Sequence, residues 1–378
     1  MRYEIDSPLL VSLLPTIVEA EDGLARLDER AARAAIAEGF AERRNFFDAV
    51  GALWVAGELV HVEDLVLHDA HMDTRTPSHE LTIAHSILRA RRRIWTAAPD
   101  WALSGSGLSI LGGYTGGEGA APETRSAKAL VEDDDAEIEA DALLSAELAE
   151  IDAILERSQR LLDSHGSPGA PEPHEAPDRV REKRSDDPLG LFDDEEWDEA
   201  ARLRAWRKTI SIADSLPPAL GAALLFDAWE RMEPLRRQHW LGGLLVASYL
   251  RARGKVTSHL FAFYAGLKTV RYERRRSRDR LTRLQAFLEA MAESAAAGLK
   301  EMDRLSLART QMEIRFRDRR SNSSLPQLAD FVLSRPMVSS AMVARELRIT
   351  SRGALNLLND IGIREITGRG RYRAWGII

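Results

Sequence analysis

The sequence predicts a mainly α-helical protein that ends in a winged helix with a small β-hairpin. Three observations carry that prediction. Apolar residues recur at helical spacing through most of the chain, as in Leu24, Leu27, Ala31 and Ala35. The stretch 325–378 alternates short capped helices with a tight turn and closes on two short β segments around a Gly-x-Gly pair. The charge is segregated: residues 1–250 hold 26 basic and 47 acidic side chains, whereas 251–378 hold 26 basic and 12 acidic. A basic final third is the electrostatic footprint of nucleic-acid contact, although a solvated helical surface carries a similar charge.

The composition narrows the field. The chain has 378 residues, is 44% hydrophobic and 29% charged, and carries a net charge of −7. These are the properties of a globular chain long enough for more than one core. It contains no cysteine, which excludes disulfides, thiolate zinc sites, iron–sulfur clusters and cysteine nucleophiles. No apolar run approaches the ~18 residues that span a bilayer. Glu4 and Asp6 stand where a signal peptide would be basic. The expectation is a cytoplasmic protein without membrane contact.

Residues 1–103 read as an N-terminal helical domain. Thr76 and Pro77, with Glu80 in the first turn, predict a helix start that runs to Arg91–Arg93. Residues 104–119 hold seven glycines in sixteen positions and read as a flexible loop. It lacks the Gly-Lys-Ser/Thr ending of a phosphate loop. Its serines Ser104, Ser106 and Ser109 do not form the Gly-x-Ser-x-Gly elbow of a hydrolase. An acidic helix is predicted at about 132–163, and five prolines in 164–188 mark a linker. Residues 118–200 carry 8 basic and 26 acidic side chains and read as a solvated tether. The whole of 104–192 is thus a Gly/Pro-rich acidic linker with one helix.

Residues 193–320 form a second helical region. It contains two apolar helices, Leu216–Met232 and Gln238–Leu250, and an Arg-rich stretch over 277–319. Trp197, Trp206, Trp229 and Trp240 fall in apolar helical surroundings and read as core. His61, His68, His71, His79 and His85 cluster in sequence with Asp69 and Asp73. They form no His-Glu-x-x-His pattern, so neither a metal nor a cofactor is expected.

The sharpest signal lies in 321–378. Leu325–Leu333 is a short apolar helix broken before Pro336. Ser339 or Ser340 caps a second helix bearing Met342, Val343 and Leu347. Ile349 closes a turn, and Thr350 or Ser351 caps a third helix through Leu358. This is helix-turn-helix spacing. The segments around Ile363–Thr367 and Arg371–Trp375 then form the hairpin. On the third helix, Ser351, Arg352 and Asn356 sit opposite Leu355 and Leu358. Arginine pairs with guanine and asparagine with adenine in the major groove. Arg369, Arg371 and Arg373 on the wing suit phosphates or the minor groove. The expected partner is double-stranded DNA. A homodimer is compatible with this architecture, but no dimer interface is legible in the sequence.

The stretch Phe226-Asp227-Ala228-Trp229-Glu230-Arg231-Met232-Glu233-Pro234-Leu235, followed by Leu241-Gly242-Gly243-Leu244-Leu245-Val246, resembles the core of Fic-domain proteins that end in a winged helix. Active Fic proteins carry His-Pro-Phe-x-Asp/Glu-Gly-Asn-Gly-Arg-x-x-Arg and transfer a nucleotide monophosphate to a protein hydroxyl. The resemblance implies a Fic-like helical bundle whose motif is degenerate. Glu233 stands at the general-base position and Pro234 is kept. Arg237 replaces the metal carboxylate. Gln238 and His239 occupy the glycine turn, Trp240 and Gly243 fall where the two arginines belong, and Gly242 lies between them. Leu53-Trp54-Val55-Ala56-Gly57-Glu58 resembles the inhibitory helix of that family, with Ala56 in place of its glutamate.

The whole chain is also similar to a family of uncharacterised bacterial proteins, often plasmid-borne. These join an N-terminal domain of unknown function to a C-terminal helix-turn-helix. Glu58-Leu59-Val60-His61-Val62-Glu63-Asp64-Leu65-Val66-Leu67-His68-Asp69-Ala70 and the closing Gly-Arg-Tyr-Arg-Ala-Trp-Gly carry this similarity. The function expected is a sequence-specific DNA-binding regulator on a catalytically degenerate scaffold. The alternatives are a nucleotide-transferring enzyme with an altered site and a protein-binding scaffold.

Overall fold

The computed structural model describes residues 3–73, 75–113, 197–316, 324–366 and 373–377. The acidic helix expected at 132–163 and the proline-rich linker lie outside the described residues. The N-terminal part contains α1 (Ser7–Arg33), α2 (Ala37–Ala56), α3 (Val62–Asp69), α4 (His79–Thr96) and α5 (Gly105–Leu111). The middle contains α6 (Glu199–Ala213), α7 (Pro218–Met232), α8 (Leu241–Ala252), α9 (Phe263–Leu267), α10 (Tyr272–Arg275) and the long α11 (Arg280–Phe316). The C-terminal part is α12 (Leu325–Ser334), β1 (Val338–Ser339), α13 (Ser340–Glu346), α14 (Ser351–Ile361), β2 (Arg364–Glu365) and β3 (Ala374–Gly376). No helix among the described residues is long and apolar enough to cross a membrane.

The segments 1–103 and 193–320 share one hydrophobic core. α1 starts where Asp6 Oδ1 accepts from Leu9 N at 2.9 Å, with Pro8 in the first turn. Its inward face, Leu13, Ile17, Ala20, Leu24, Leu27 and Ala31, is buried along α11. The two helices run side by side in the same direction. Arg280 at the start of α11 donates to the Tyr3 carbonyl at 3.0 Å, and Arg30 pairs with Asp303 further along. A Cβ at Gly298 would stand 2.9 Å from Leu27 Cδ2, so glycine there lets the helices close. Asp28 accepts from the backbone N–H of Thr257 and of Ser258, each at 2.8 Å.

α8 is buried on every side from Leu241 to Leu250 and forms the centre of the body. α7 buries all residues from Ala219 to Trp229 beside it. Trp206 and Trp229 meet edge to face at 5.4 Å, and Phe226 does the same with Phe263 and Phe287 at 4.8 and 4.9 Å.

Four local expectations change. α4 begins at His79, because Ser78 Oγ takes the Leu81 N–H at 3.2 Å and leaves Thr76 and Pro77 outside the helix. The glycine-rich stretch is helical over Gly105–Leu111, capped by Ser104 Oγ accepting from Gly107 N at 3.0 Å. Burial of Leu108 and Leu111 draws this segment in. Gly107 is obligatory, since a Cβ would lie 2.0 Å from the Trp101 carbonyl oxygen. α8 starts at Leu241 rather than Gln238, with the His239 carbonyl taken by Trp229 Nε1 at 3.0 Å. Trp197 is not core: it lies between the guanidinium groups of Arg202 and Arg236, at 3.3 and 3.6 Å from the ring centre.

One buried residue makes the fold sensitive to pH. His259 Nδ1 lies 2.9 Å from Ser258 Oγ, and its ring meets Phe40 edge-on at 5.3 Å. Burial, reinforced by the nearby Arg44 and Arg91 cations, pushes its pKa down to about 3. The unfolded chain therefore binds a proton near pH 6.5 that the folded chain refuses, and stability falls as the pH drops from there toward 3. Urea unfolding of the full chain is expected to show about 2 kcal/mol less stability from this residue at pH 5 than at pH 7. His259→Asn, which can keep a hydrogen bond to Ser258, should remove that part of the slope. An unchanged slope in the variant would show that His259 is not its source.

Candidate nucleic-acid interface

The C-terminal part is built from residues whose local chemistry dictates each turn. α12 packs Leu325, Leu328, Ala329, Val332 and Leu333 inward. β1 follows directly, and Ser339 Oγ caps α13 by accepting from Met342 N at 3.2 Å. Thr350 Oγ1 accepts from Gly353 N at 3.1 Å and caps α14, which makes Ser351 the first helical residue. Gly362, at φ 67, ends α14. β3 pairs antiparallel with both β1 and β2, so the sheet order is β1-β3-β2. Val338 faces Trp375 on one side and Glu365 faces it on the other. Trp375 is buried beneath the sheet.

α14 presents two faces. Ala354, Leu358 and Ile361 are buried, and Leu355 is half-buried. Ser351, Arg352, Asn356, Asn359 and Asp360 are exposed. Arg352 and Asn356 thus share the outer face one turn apart, as the sequence predicts. Asn359 continues that face by a further turn, and sequence reasoning missed it by ending the helix at Leu358. Arg345, Arg348, Arg352 and Arg364 are also exposed, with no carboxylate partner among the described residues.

The hairpin expected as a wing differs in one detail. Arg373 is not a free cation: it reaches across the strands to Glu365 at 3.0 and 2.7 Å and lies over the Trp375 ring at 4.9 Å. Arg369 and Arg371 lie outside the described residues.

The positions singled out by the Fic-like resemblance span the turn between α7 and α8 and the first residues of α8. Glu233 is the exposed C-cap of α7 at φ 43, and Pro234 is buried. Arg237 is exposed. His239 Nε2 lies 2.6 Å from Glu230 Oε1. Gly242 is pressed against Trp229, where a Cβ would stand 2.3 Å from the ring, and Gly243 against Tyr264 at 2.2 Å. Both glycines therefore serve helix packing.

Of the histidines of 61–85, His68 pairs with Asp73 at 2.9 Å and His85 joins an ion-pair seam. His85 Nε2 lies 3.4 Å from Asp69 Oδ1, and Asp69 also takes Arg92 at 2.6 Å. Burial works to raise the Asp69 carboxyl, but hydrogen bonds from His85 and Arg92 hold it well below the usual carboxylate range. Arg92 Nε donates to Glu42 at 3.0 Å, and Arg335 of the C-terminal part meets Glu42 at 3.3 Å.

Beside that seam lies the residue that fixes the C-terminal part to the body. Arg43 of α2 is buried, with Nε donating to Glu301 Oε1 of α11 at 2.9 Å. Its other nitrogens donate to the carbonyls of Arg335 and Ile377. Sequence reading gave no signal for this, because nothing local marks an arginine as a core residue.

Residues 191–317 match a family described as protein of unknown function (DUF1612), and residues 325–378 match a helix-turn-helix DNA-binding domain. Over 388 residues the chain is 42% identical to the uncharacterized protein y4cF of Sinorhizobium fredii, with both chains covered in full. The chain belongs to the family of this protein and carries a DUF1612 domain followed by a helix-turn-helix domain. In this chain the helix-turn-helix match follows the DUF1612 match directly, and that boundary is the step from α11 to α12.

The attachment has a measurable consequence. Arg43→Ala removes the donor of two carbonyls and the one close hydrogen bond to the buried Glu301 carboxylate, which keeps only the longer ion pairs to Arg44 at 3.8 Å and Arg304 at 3.7 Å. It should lower the unfolding free energy by about 3–5 kcal/mol. Urea denaturation checks this, and a loss under about 1 kcal/mol would show that the joint does not depend on Arg43.

Proposed function

We propose that this protein is a sequence-specific DNA-binding regulator. In this reading the C-terminal domain is a winged helix, α14 enters the major groove, and the helical body is a scaffold without transferase activity. The observation that carries it is the exposed pair Arg352 and Asn356 on one face of α14. Arg352 suits guanine O6 and N7, Asn356 suits adenine N6 and N7, and Asn359 extends the reading face. Unpaired arginines around the helix supply the phosphate term that dominates affinity. Arg369 and Arg371 complete the wing contacts in this reading. A homodimer fits the use of paired half-sites by such domains.

The Fic-like resemblance enters as the origin of the scaffold. A phosphate cradle needs backbone approach at a glycine turn and cations facing it. Gly242 and Gly243 are instead filled by aromatic rings, and His239 is held by Glu230. Incubation with labelled ATP and magnesium is expected to transfer no label. Transfer that disappears in Glu233→Ala would replace this reading with the enzymatic one.

The direct test selects genomic fragments bound by the full-length protein at near-physiological salt. The expected result is a defined motif. Removing both side chains, Arg352→Ala with Asn356→Ala, should abolish the motif preference at about 1–3 kcal/mol per base read, while circular dichroism stays unchanged. Failure to enrich any motif would overturn the proposal.

A further inference from the structure

The turn between α13 and α14 holds an arginine that base reading does not use. α13 ends in two overlapping backbone hydrogen bonds, Ile349 N to the Ala344 carbonyl at 2.9 Å and Arg348 N to the Arg345 carbonyl at 3.3 Å. This is a Schellman closure, whose C′ residue must adopt the left-handed conformation. That residue is Arg348, at φ 53. Glycine takes this task after α2 (Gly57, φ 95), α8 (Gly254, φ 65) and α14 (Gly362, φ 67), whereas after α3 His71, at φ 53, closes the same pattern with Met72 N to the Leu67 carbonyl and His71 N to the His68 carbonyl, both at 2.9 Å. A residue with a Cβ is strained there, and glycine would relieve the strain. His71 and Glu233 are the other described non-glycine residues with positive φ, and both lie in the body of the protein.

Nothing inside the fold uses the Arg348 side chain. It is exposed and has no ion-pair partner among the described residues. Its place is two residues before the Thr350 cap, between Arg345 on α13 and Arg352 on α14. The turn enters DNA together with the start of the reading helix, so a cation there meets the sugar-phosphate backbone at the groove edge.

We propose that Arg348 is a DNA-backbone contact that seats α14 in the major groove, pairing its guanidinium with one phosphate irrespective of base sequence. The fork of guanidinium N–H donors suits phosphate oxygens, and a phosphate contact fixes register without reading sequence. The inference rests on the DNA-binding reading given above and adds a positioning residue to it.

The test separates stability from binding with two variants of the full-length protein. Arg348→Gly removes both the strain and the charge. Arg348→Ala removes the charge and keeps the strain. Arg348→Gly should melt above Arg348→Ala, yet both should bind a cognate duplex roughly three- to tenfold more weakly than wild type at about 0.15 M salt. In both, the slope of log K against log salt should become shallower by about 0.9, on cognate and unrelated duplexes alike. Arg348→Lys should keep the slope. Wild-type affinity and slope in Arg348→Gly and Arg348→Ala would overturn the proposal. A wild-type protein that binds no duplex would remove the DNA reading itself, and this proposal with it, in the parent titration before any variant is compared.

Discussion

The placement of the C-terminal domain depends on one buried guanidinium. Arg43 projects from α2 into a site where Glu301 of α11 supplies its countercharge and the Arg335 and Ile377 carbonyls supply its remaining acceptors. Removing a guanidinium from water costs several kcal/mol, which only a full set of partners offsets. Here those partners come from the body and from both ends of the C-terminal domain at once. The guanidinium is satisfied only when the three segments are docked together. Gly39 adds a close approach, with its missing Cβ 3.1 Å from the Leu333 backbone. Arg309 of α11 binds Asp330 of α12 at 3.0 Å on the outer side of the same joint. α14 is held against the body on this side as well, because Arg315 of α11 reaches the Ile361 carbonyl at its far end at 3.2 Å.

A second set of buried charges stiffens the body behind that joint. Arg91 binds Asp48 and donates to the Leu260 carbonyl at 2.8 Å, while Asp48 accepts from Ala265 N at 3.0 Å. Burial raises the Asp48 carboxyl and lowers the Arg91 guanidinium. Arg283 holds Asp227 of α7 at 2.6 Å and the carbonyls of Ser277 and Arg278 at 2.8 and 3.0 Å. These groups replace part of an apolar core with fixed polar geometry. Such networks define relative helix positions because each donor has a single satisfactory arrangement.

Much of this was legible in the residues. The order of helices, the caps at Ser339 and Thr350, the Arg352–Asn356 face and the hairpin partners follow from local rules of spacing and capping. Where reading failed, the cause was mostly tertiary, although the start of α4 turned on a local cap, Ser78 in place of Thr76. The glycine-rich stretch after Ser104 becomes a helix because Leu108 and Leu111 find a buried surface. Trp197 leaves the core because Arg202, five residues on, and Arg236, distant in sequence, enclose it. The strained turn at Arg348 is invisible to composition, since only the backbone angle shows that an arginine occupies a glycine position. Arg43 and Glu301 are separated by most of the chain, and no pattern in either helix announces their meeting. Arg373 illustrates a milder limit. Its charge was evident from the sequence, but its cross-strand engagement with Glu365 was not.

The central claim is that α14 reads base edges in the major groove from a fixed scaffold. Methylation interference tests it most directly, because a methyl group on guanine N7 blocks the acceptor that arginine uses without altering the phosphates. With full-length protein and its selected duplex, modification at discrete guanines on one face of the helix should abolish binding, and Arg352→Ala should become indifferent at one of them. Binding that tolerates N7 methylation at every guanine would contradict the account.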